Sequence, residues 1–170
     1  PKGARKLIEA LSILVKTIPD VQLLVVGKKD AYAEKMLAYA QELDVGKNVL
    51  FTGWLTGEQI HRAYYAATVV AVPSIYLDPF PTMNMEAMAC HKPVVATCIG
   101  GSKEVIVDGE TGYIVNPYDI QSMVERLAEL LTDTEKSIRF GESGYARVDR
   151  DFSLIKQAQK YEKLFTAAFC

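Results

Sequence analysis

The 170-residue chain has little of what marks several large classes of protein. It contains no apolar run near the ~20 residues needed to cross a bilayer, and no signal-peptide pattern opens it. Its formal net charge is only −2 with both signs interspersed, which removes the electrostatic case for nucleic acid or an anionic membrane as a partner. Cysteine is scarce: Cys90, Cys98 and Cys170 show no CxxC spacing, and His61 and His91 are the only histidines. A zinc site on Cys90, His91 and Cys98 would lack further ligands at workable spacing, so no metal is expected and the thiols read as small apolar groups in a reducing compartment. The early strand is followed by "VVGKKD" and not by G-x-G-x-x-G, which argues against a dehydrogenase-type dinucleotide domain. Low-complexity tracts, repeats and linkers are missing too, so residues 1–170 read as one domain.

What is present is an alternation. "PKGARKLIEAL" opens directly on helix punctuation, with Leu7, Leu11, Leu14, Val15 and Ile18 at helical spacing, as though a first strand had preceded it. Short β-branched runs follow: "VQLLVVG", "NVLFTG", "VVAVPS", "KPVVAT" and "GYIVNP". Helical segments separate them at 31–43, in "EQIHRAYYAA" and in an Ala/Met-rich stretch to about Cys90, and three more close the chain at 120–131, 134–149 and 153–168. Strands this short and this continuously apolar are buried on both faces, which predicts a doubly wound parallel sheet in a Rossmann-like α/β domain. In such sheets ligands sit beyond the carboxyl ends of the strands, here the turns after Val26, Phe51, Val72 and Ala96. The third turn, "PSIYLDPFPT", is the longest, and long loops in compact domains more often carry function.

That loop holds Asp78, and Glu86 stands eight positions on, inside the following helix. Pro81, with φ fixed and no N–H, suits the helix start, which leaves the amides of Thr82, Met83 and Asn84 as donors at a positive helix end where a phosphate or sugar hydroxyl can be held. The blander reading makes Asp78 a turn cap and Glu86 a solvated helix residue. "MNMEAMAC" puts Glu86 in apolar company, however, and an acid so placed needs a partner. A ribose diol is one candidate, since one carboxylate can accept from both hydroxyls.

The run "DPFPTMNMEAMACHKPVVATCIGGSKEVIVDGETGYIVNPYD" resembles the signature region of the retaining, two-domain (GT-B fold) glycosyltransferases of family 4. The likeness extends through "NVLFTGWL", "YYAATVVAVPS" and "YARVDRDFS", almost the whole chain. It implies the C-terminal half of a GT-B fold, the donor-binding domain of a hexosyltransferase, in a fragment lacking its first strand and the N-terminal acceptor domain. The isolated fragment would bind donor without turnover. The implied donor is a nucleotide-diphosphate sugar, with no other cofactor. Asp78 and Glu86 match the two acids of the E-x7-E motif, the first near hydroxyls of the sugar and the second on the ribose. Thr82, Met83 and Asn84 match the turn whose amides approach sugar and phosphate. Lys2 matches a lysine on the diphosphate, Gly27 belongs to the donor-facing turn after the first strand, and Phe51, Trp54 and Leu55 match a segment beside the nucleobase. Lys2, Asp78 and Glu86 are the implied catalytic set. The implied setting is the cytoplasm, with the full-length protein at the inner membrane surface as a variant of it.

The sequence departs from the family pattern at Asp78, where glutamate is usual, at Pro81, where glycine is usual, and at His91, where glycine often closes the helix. Histidine tolerates positive φ better than most residues, so His91 reads as a C-cap and not as a base. His61 reads as a helix-surface residue. Trp54 either stacks on a base or is partly buried beside its turn. Gly100 and Gly101 either let backbone approach a ligand or simply turn the chain, and Glu104 is a candidate supporting acid. A sugar-nucleotide epimerase, a phosphorylase of the same fold, and a nucleotide-binding module without chemistry are the alternatives.

Overall fold

Helix α1 (Ala4–Leu14) turns the predicted row of apolar side chains into a buried stripe, Ile8, Ala10, Leu11 and Leu14. It begins at Gly3, whose φ of 77° and position against the Pro73 carbonyl exclude any side chain, since a Cβ there would lie 1.7 Å from that oxygen. The computed structural model describes residues 3–169. After α1 come β1 (Leu23–Val26), α2 (Ala31–Glu42), a short 3-10 turn (Gly46–Asn48), β2 (Val49–Gly53), α3 (Glu58–Ala66), β3 (Val70–Val72), α4 (Thr82–Ala89) and β4 (Val94–Thr97). α5 (Ser102–Val105), β5 (Gly112–Val115), α6 (Ile120–Thr132), α7 (Thr134–Asp151) and α8 (Leu154–Phe169) complete the chain.

Every strand pairing is parallel, as predicted, and β4 is buried along its whole length. The expected single sheet is instead divided. Among the described residues β1 pairs with β2, while β3, β4 and β5 form a separate three-stranded sheet. Helix α1 spans the two. Ile8 and Leu11 pack with Val45 and Val49 on the β1–β2 side, whereas Ala10 and Leu14 join Val95, Tyr113 and Val115 on the other. One helix thus holds together two sheets that, among the described residues, share no strand pairing.

Two short elements, α5 and the 3-10 turn, lie in stretches with no periodicity to announce them. α1 stops at Leu14 although Ile18 continues its spacing; the Ile18 amide donates to the Leu14 carbonyl at 2.8 Å and folds the chain back toward β1. The main core gathers α6 (Met123, Leu127, Leu130) and Phe140 of α7 over β4 and β5, with the Phe140 ring edge-on to Tyr113 at 5.2 Å.

The packing of α7 on α4 fixes the helix that carries the site. Two glycines permit it, because a Cβ on Gly141 would meet the His91 carbonyl oxygen at 2.2 Å and one on Gly144 would meet Met88 at 3.1 Å. His91 ends α4 with φ 57°, as its C-cap reading requires, and its ring stacks on Tyr145 at 4.0 Å while Nδ1 pairs with Glu142 at 2.9 Å. The substitution Gly141→Ala is therefore expected to cost about 1–3 kcal/mol, or roughly 2–4 °C of Tm per kcal/mol at this chain length. Thermal unfolding measures it; an unchanged Tm would mean that α4 and α7 separate at no cost.

Candidate functional site

The segment 73–81 leaves the carboxyl end of β3 and delivers the chain to the N-terminus of α4. Pro81 stands immediately before the helix with φ −71° and ψ 97°, the extended geometry of a capping position, and supplies no side-chain cap. The amides of Thr82 and Met83 have no acceptor inside the helix and sit on exposed residues. Asn84 behaves differently from the expectation. Its amide donates to the Pro81 carbonyl at 3.1 Å, and its side chain is fully buried with Nδ2 donating to Ser102 Oγ at 3.1 Å. Helical phase turns Asn84 inward to tie α4 to α5, so it presents nothing at the helix mouth. Its Oδ1 has no partner among the described residues.

Both acids have a tyrosine partner. Tyr76 donates its hydroxyl to Asp78 Oδ2 at 2.9 Å, within the same loop. Tyr64, from α3, donates to Glu86 Oε2 at 2.9 Å. Burial, and then the bond to Glu86, push the Tyr64 hydroxyl well above its ordinary ionisation range, so it is a neutral donor at physiological pH. The expected apolar surroundings of Glu86 are not found. Met88 turns into the core and Met85 is half-buried, while Glu86 lies on the exposed side of α4. Residues adjacent in sequence are about 100° apart around a helix, so the flanking methionines do not enclose the carboxylate.

The loop bearing Asp78 rests on the turn after β4. A Cβ on Gly100 would meet the Asp78 carbonyl oxygen at 2.2 Å, and one on Gly101 would meet the Pro79 carbonyl oxygen at 2.1 Å. The Gly101 amide donates to the Asp78 carbonyl at 2.8 Å. The two glycines thus admit the neighbouring loop, and their sequence signal was visible while its meaning was not. Phe80 adds a ring contact with Phe152 at 6.2 Å, and Arg147 of α7 donates to the Val105 and Glu104 carbonyls at 2.7 and 3.0 Å, holding the end of α5. A cleft of about 220 Å³ opens beside this assembly, lined by Ser74, Asp78, Phe80, Pro81, Thr82 and Met83. That is below the ~300–1,000 Å³ of complete small-molecule pockets, the size of a partial site.

The remaining candidates occupy other parts of the fold. Gly27 ends β1, donates to the Gly53 carbonyl at 3.2 Å, and faces open space. Trp54 is 69% exposed in the turn after β2, with Leu55 half-buried beside it. Phe51 lies inside β2 and packs on the α1–α2 cluster of Ile8, Leu11 and Met36. Lys2 lies outside the described residues. His61 is exposed on α3, as read from the sequence, and Glu104 contributes a backbone carbonyl to Arg147. The structure therefore gathers Asp78, Thr82 and Met83 at one cleft, with Glu86 about one turn further along α4 and Gly27, Trp54 and Leu55 on the turns of the other sheet.

Parallel strands joined by helices, with a cleft beyond the carboxyl end of β3 and a helix N-terminus facing it, define an α/β domain of the doubly wound class. The chain belongs to the glycosyl transferases group 1 family, whose model matches residues 1–147. It is 34% identical to a D-inositol 3-phosphate glycosyltransferase of Corynebacterium efficiens, over 98% of this chain and 40% of that protein. Among solved structures it is similar to a sucrose-phosphate synthase of Thermosynechococcus elongatus, at 34% identity and a TM-score of 0.85, covering 98% of this chain and 43% of the other. Anabaena Alr3699/HepE in complex with UDP superposes with a TM-score of 0.90 at 26% identity, covering 98% and 45%; the same protein has also been solved with UDP-glucose. These neighbours carry the GT-B fold. The chain spans about two fifths of the length of the relatives it matches.

Because Gly100 combines φ +86° with the contact to Asp78, Gly100→Ala is expected to loosen the loop at 76–81. Hydrogen exchange reads this at the Gly101 amide, which should exchange at least about tenfold faster once its bond to Asp78 weakens. Protection equal to that of the unaltered chain would remove the glycine contact as the loop's support.

Proposed function

We propose that this chain is the donor-binding half of a retaining hexosyltransferase acting on a nucleotide-diphosphate sugar. The observation that carries the reading is the junction of β3, its loop and α4: Asp78, free amides at Thr82 and Met83, and Glu86 follow one another around a helix start in a chain of this family. Solved relatives bound to UDP and UDP-glucose support a nucleotide sugar as ligand.

In this reading the diphosphate sits at the amino end of α4, where the helix dipole and the Thr82 and Met83 amides meet its charge, and Lys2 adds a cation. Glu86 accepts hydrogen bonds from the ribose diol, Asp78 from hydroxyls of the sugar, and the turns of Gly27, Trp54 and Leu55 flank the base. As the bond from the anomeric carbon to the leaving diphosphate oxygen breaks, charge grows on that oxygen, and donors aimed at it lower the barrier more than they stabilise the ground state. The acceptor hydroxyl oxygen forms the new bond on the same face, and its proton passes to the leaving phosphate. Asp78 is shorter by one methylene than the usual glutamate, which draws the carboxylate back from the sugar.

The domain in this reading is completed by a strand preceding Pro1 and faced by an acceptor-binding domain. Support for the strand comes from Gly3, which meets the end of β3 at Pro73, and from α1, which packs on both sheets. A parallel strand feeding α1 would fit between β1 and β3.

Calorimetric titration with UDP, GDP and ADP tests the reading. One of them is expected to bind, and Glu86→Ala is expected to weaken it about 10- to 100-fold, the loss of ~1.5–3 kcal/mol in charged hydrogen bonds. Failure of all three to bind would overturn the donor-site assignment, and the anomer formed by the full-length protein, read by NMR, decides retention.

A further inference from the structure

We infer that Tyr64 is a positioning residue for ligand binding: its hydroxyl holds Glu86 Oε2 so that Oε1 is left free and oriented to accept hydrogen bonds from the vicinal diol of a ribonucleotide. The inference rests on the donor-site reading above and assigns a residue outside the loop and helix that define it.

Glu86 is exposed and has three rotatable side-chain bonds, so left alone its carboxylate samples many positions. Among the described residues Tyr64 is its one side-chain hydrogen-bond partner. The Tyr64 ring is itself fixed. It packs against the cluster of Val72, Ala87, Met88 and Val94, so the phenol reaches Glu86 from a base built of β3, α4 and β4. The helix beneath it is tied as well: Lys92 Nζ, just beyond α4, donates to the Tyr65 carbonyl at 2.9 Å, locking the last turn of α3 to the end of α4. These contacts bring donor and acceptor from two helices into one fixed geometry.

The choice of donor matters chemically. A lysine or arginine would orient the carboxylate and also neutralise it. The phenol, half-buried and neutral, orients it while leaving the negative charge for the ligand. One carboxylate oxygen retains enough lone-pair directions to accept from both hydroxyls of a cis diol. Tyr76 on Asp78 lacks this construction, being exposed and only two residues away in the same loop.

The test compares UDP, GDP and ADP with their 2′,3′-dideoxy analogues on the unaltered chain, Tyr64→Phe, Glu86→Ala and the double variant. Phenylalanine keeps the ring packing, and thermal unfolding monitors the fold. The expected result is a five- to tenfold loss of ribonucleotide affinity in Tyr64→Phe, little change for the dideoxy analogue, and no further loss when Tyr64→Phe is added to Glu86→Ala. Equal losses for ribonucleotide and dideoxy ligand, or an additive double variant, would overturn the positioning role while leaving the donor site standing. Absence of any nucleotide binding by the unaltered chain would overturn both.

Discussion

The arrangement of the site depends on the backbone-to-backbone approach of two loops. Gly100 and Gly101 come close enough to Asp78 and Pro79 that no side chain fits between, and a single amide-to-carbonyl bond from Gly101 to Asp78 fixes their register. This contact joins the strand-end turns of β3 and β4, adjacent parallel strands whose carboxyl ends lie side by side. The position of Asp78 is therefore inherited from the sheet and not from the nine loop residues that precede α4. The supports behind the contact run outward in the same sense. Arg147 secures α5, Phe152 carries Phe80, and α7 reaches both because Gly141 and Gly144 let it lie directly on α4. A loop that is long and rich in proline is held by three elements that are otherwise core structure, which is how a mobile class of segment becomes a defined site.

The parts of this molecule that could be read from the sequence are those governed by local rules. The five strands and the longer helices follow from apolar spacing and glycine or proline punctuation; His91 at a positive-φ helix end follows from its place after "AMAC". What could not be read depends on which side of an element faces which neighbour. Asn84 looks like a helix-mouth donor in sequence, and only the position of Ser102, 18 residues away, shows that it points inward. Tyr64 and Glu86 are 22 residues apart on different helices, and no pattern links them. The division into two sheets is equally non-local, since strand pairing in a parallel sheet is set by crossovers and not by the strands' own residues. The surroundings of Glu86 depend on helical phase, which turns Met88 into the core and Glu86 outward although the two are close in sequence.

The treatment of carboxylates separates structure from site. Asp30, Asp119 and Asp133 cap helix amides, and three other acids that tie the fold together are paired with cations. Glu129 on α6 receives Lys136 and Arg126, and Lys136 holds its carboxyl below the usual range; Asp151 receives Arg150 and Arg147, and Arg150 does the same to it. Glu9 on α1 lies between Arg5 and Lys6. Asp78 and Glu86 are handled otherwise, each engaged by a tyrosine hydroxyl and, among the described residues, by no cation. A cation partner satisfies an acid's charge, and such an acid has little left to offer a ligand. A phenol orients the carboxylate while leaving its charge in place, so the remaining oxygen stays a strong acceptor for neutral hydroxyl donors such as those of a sugar. In the proposed reading a diphosphate, repelled by the same charge, would be held at the amides at the start of α4. In the same reading, the two acids on either side of a positive helix end would take the hydroxyls of the ligand and the amides between them its phosphates.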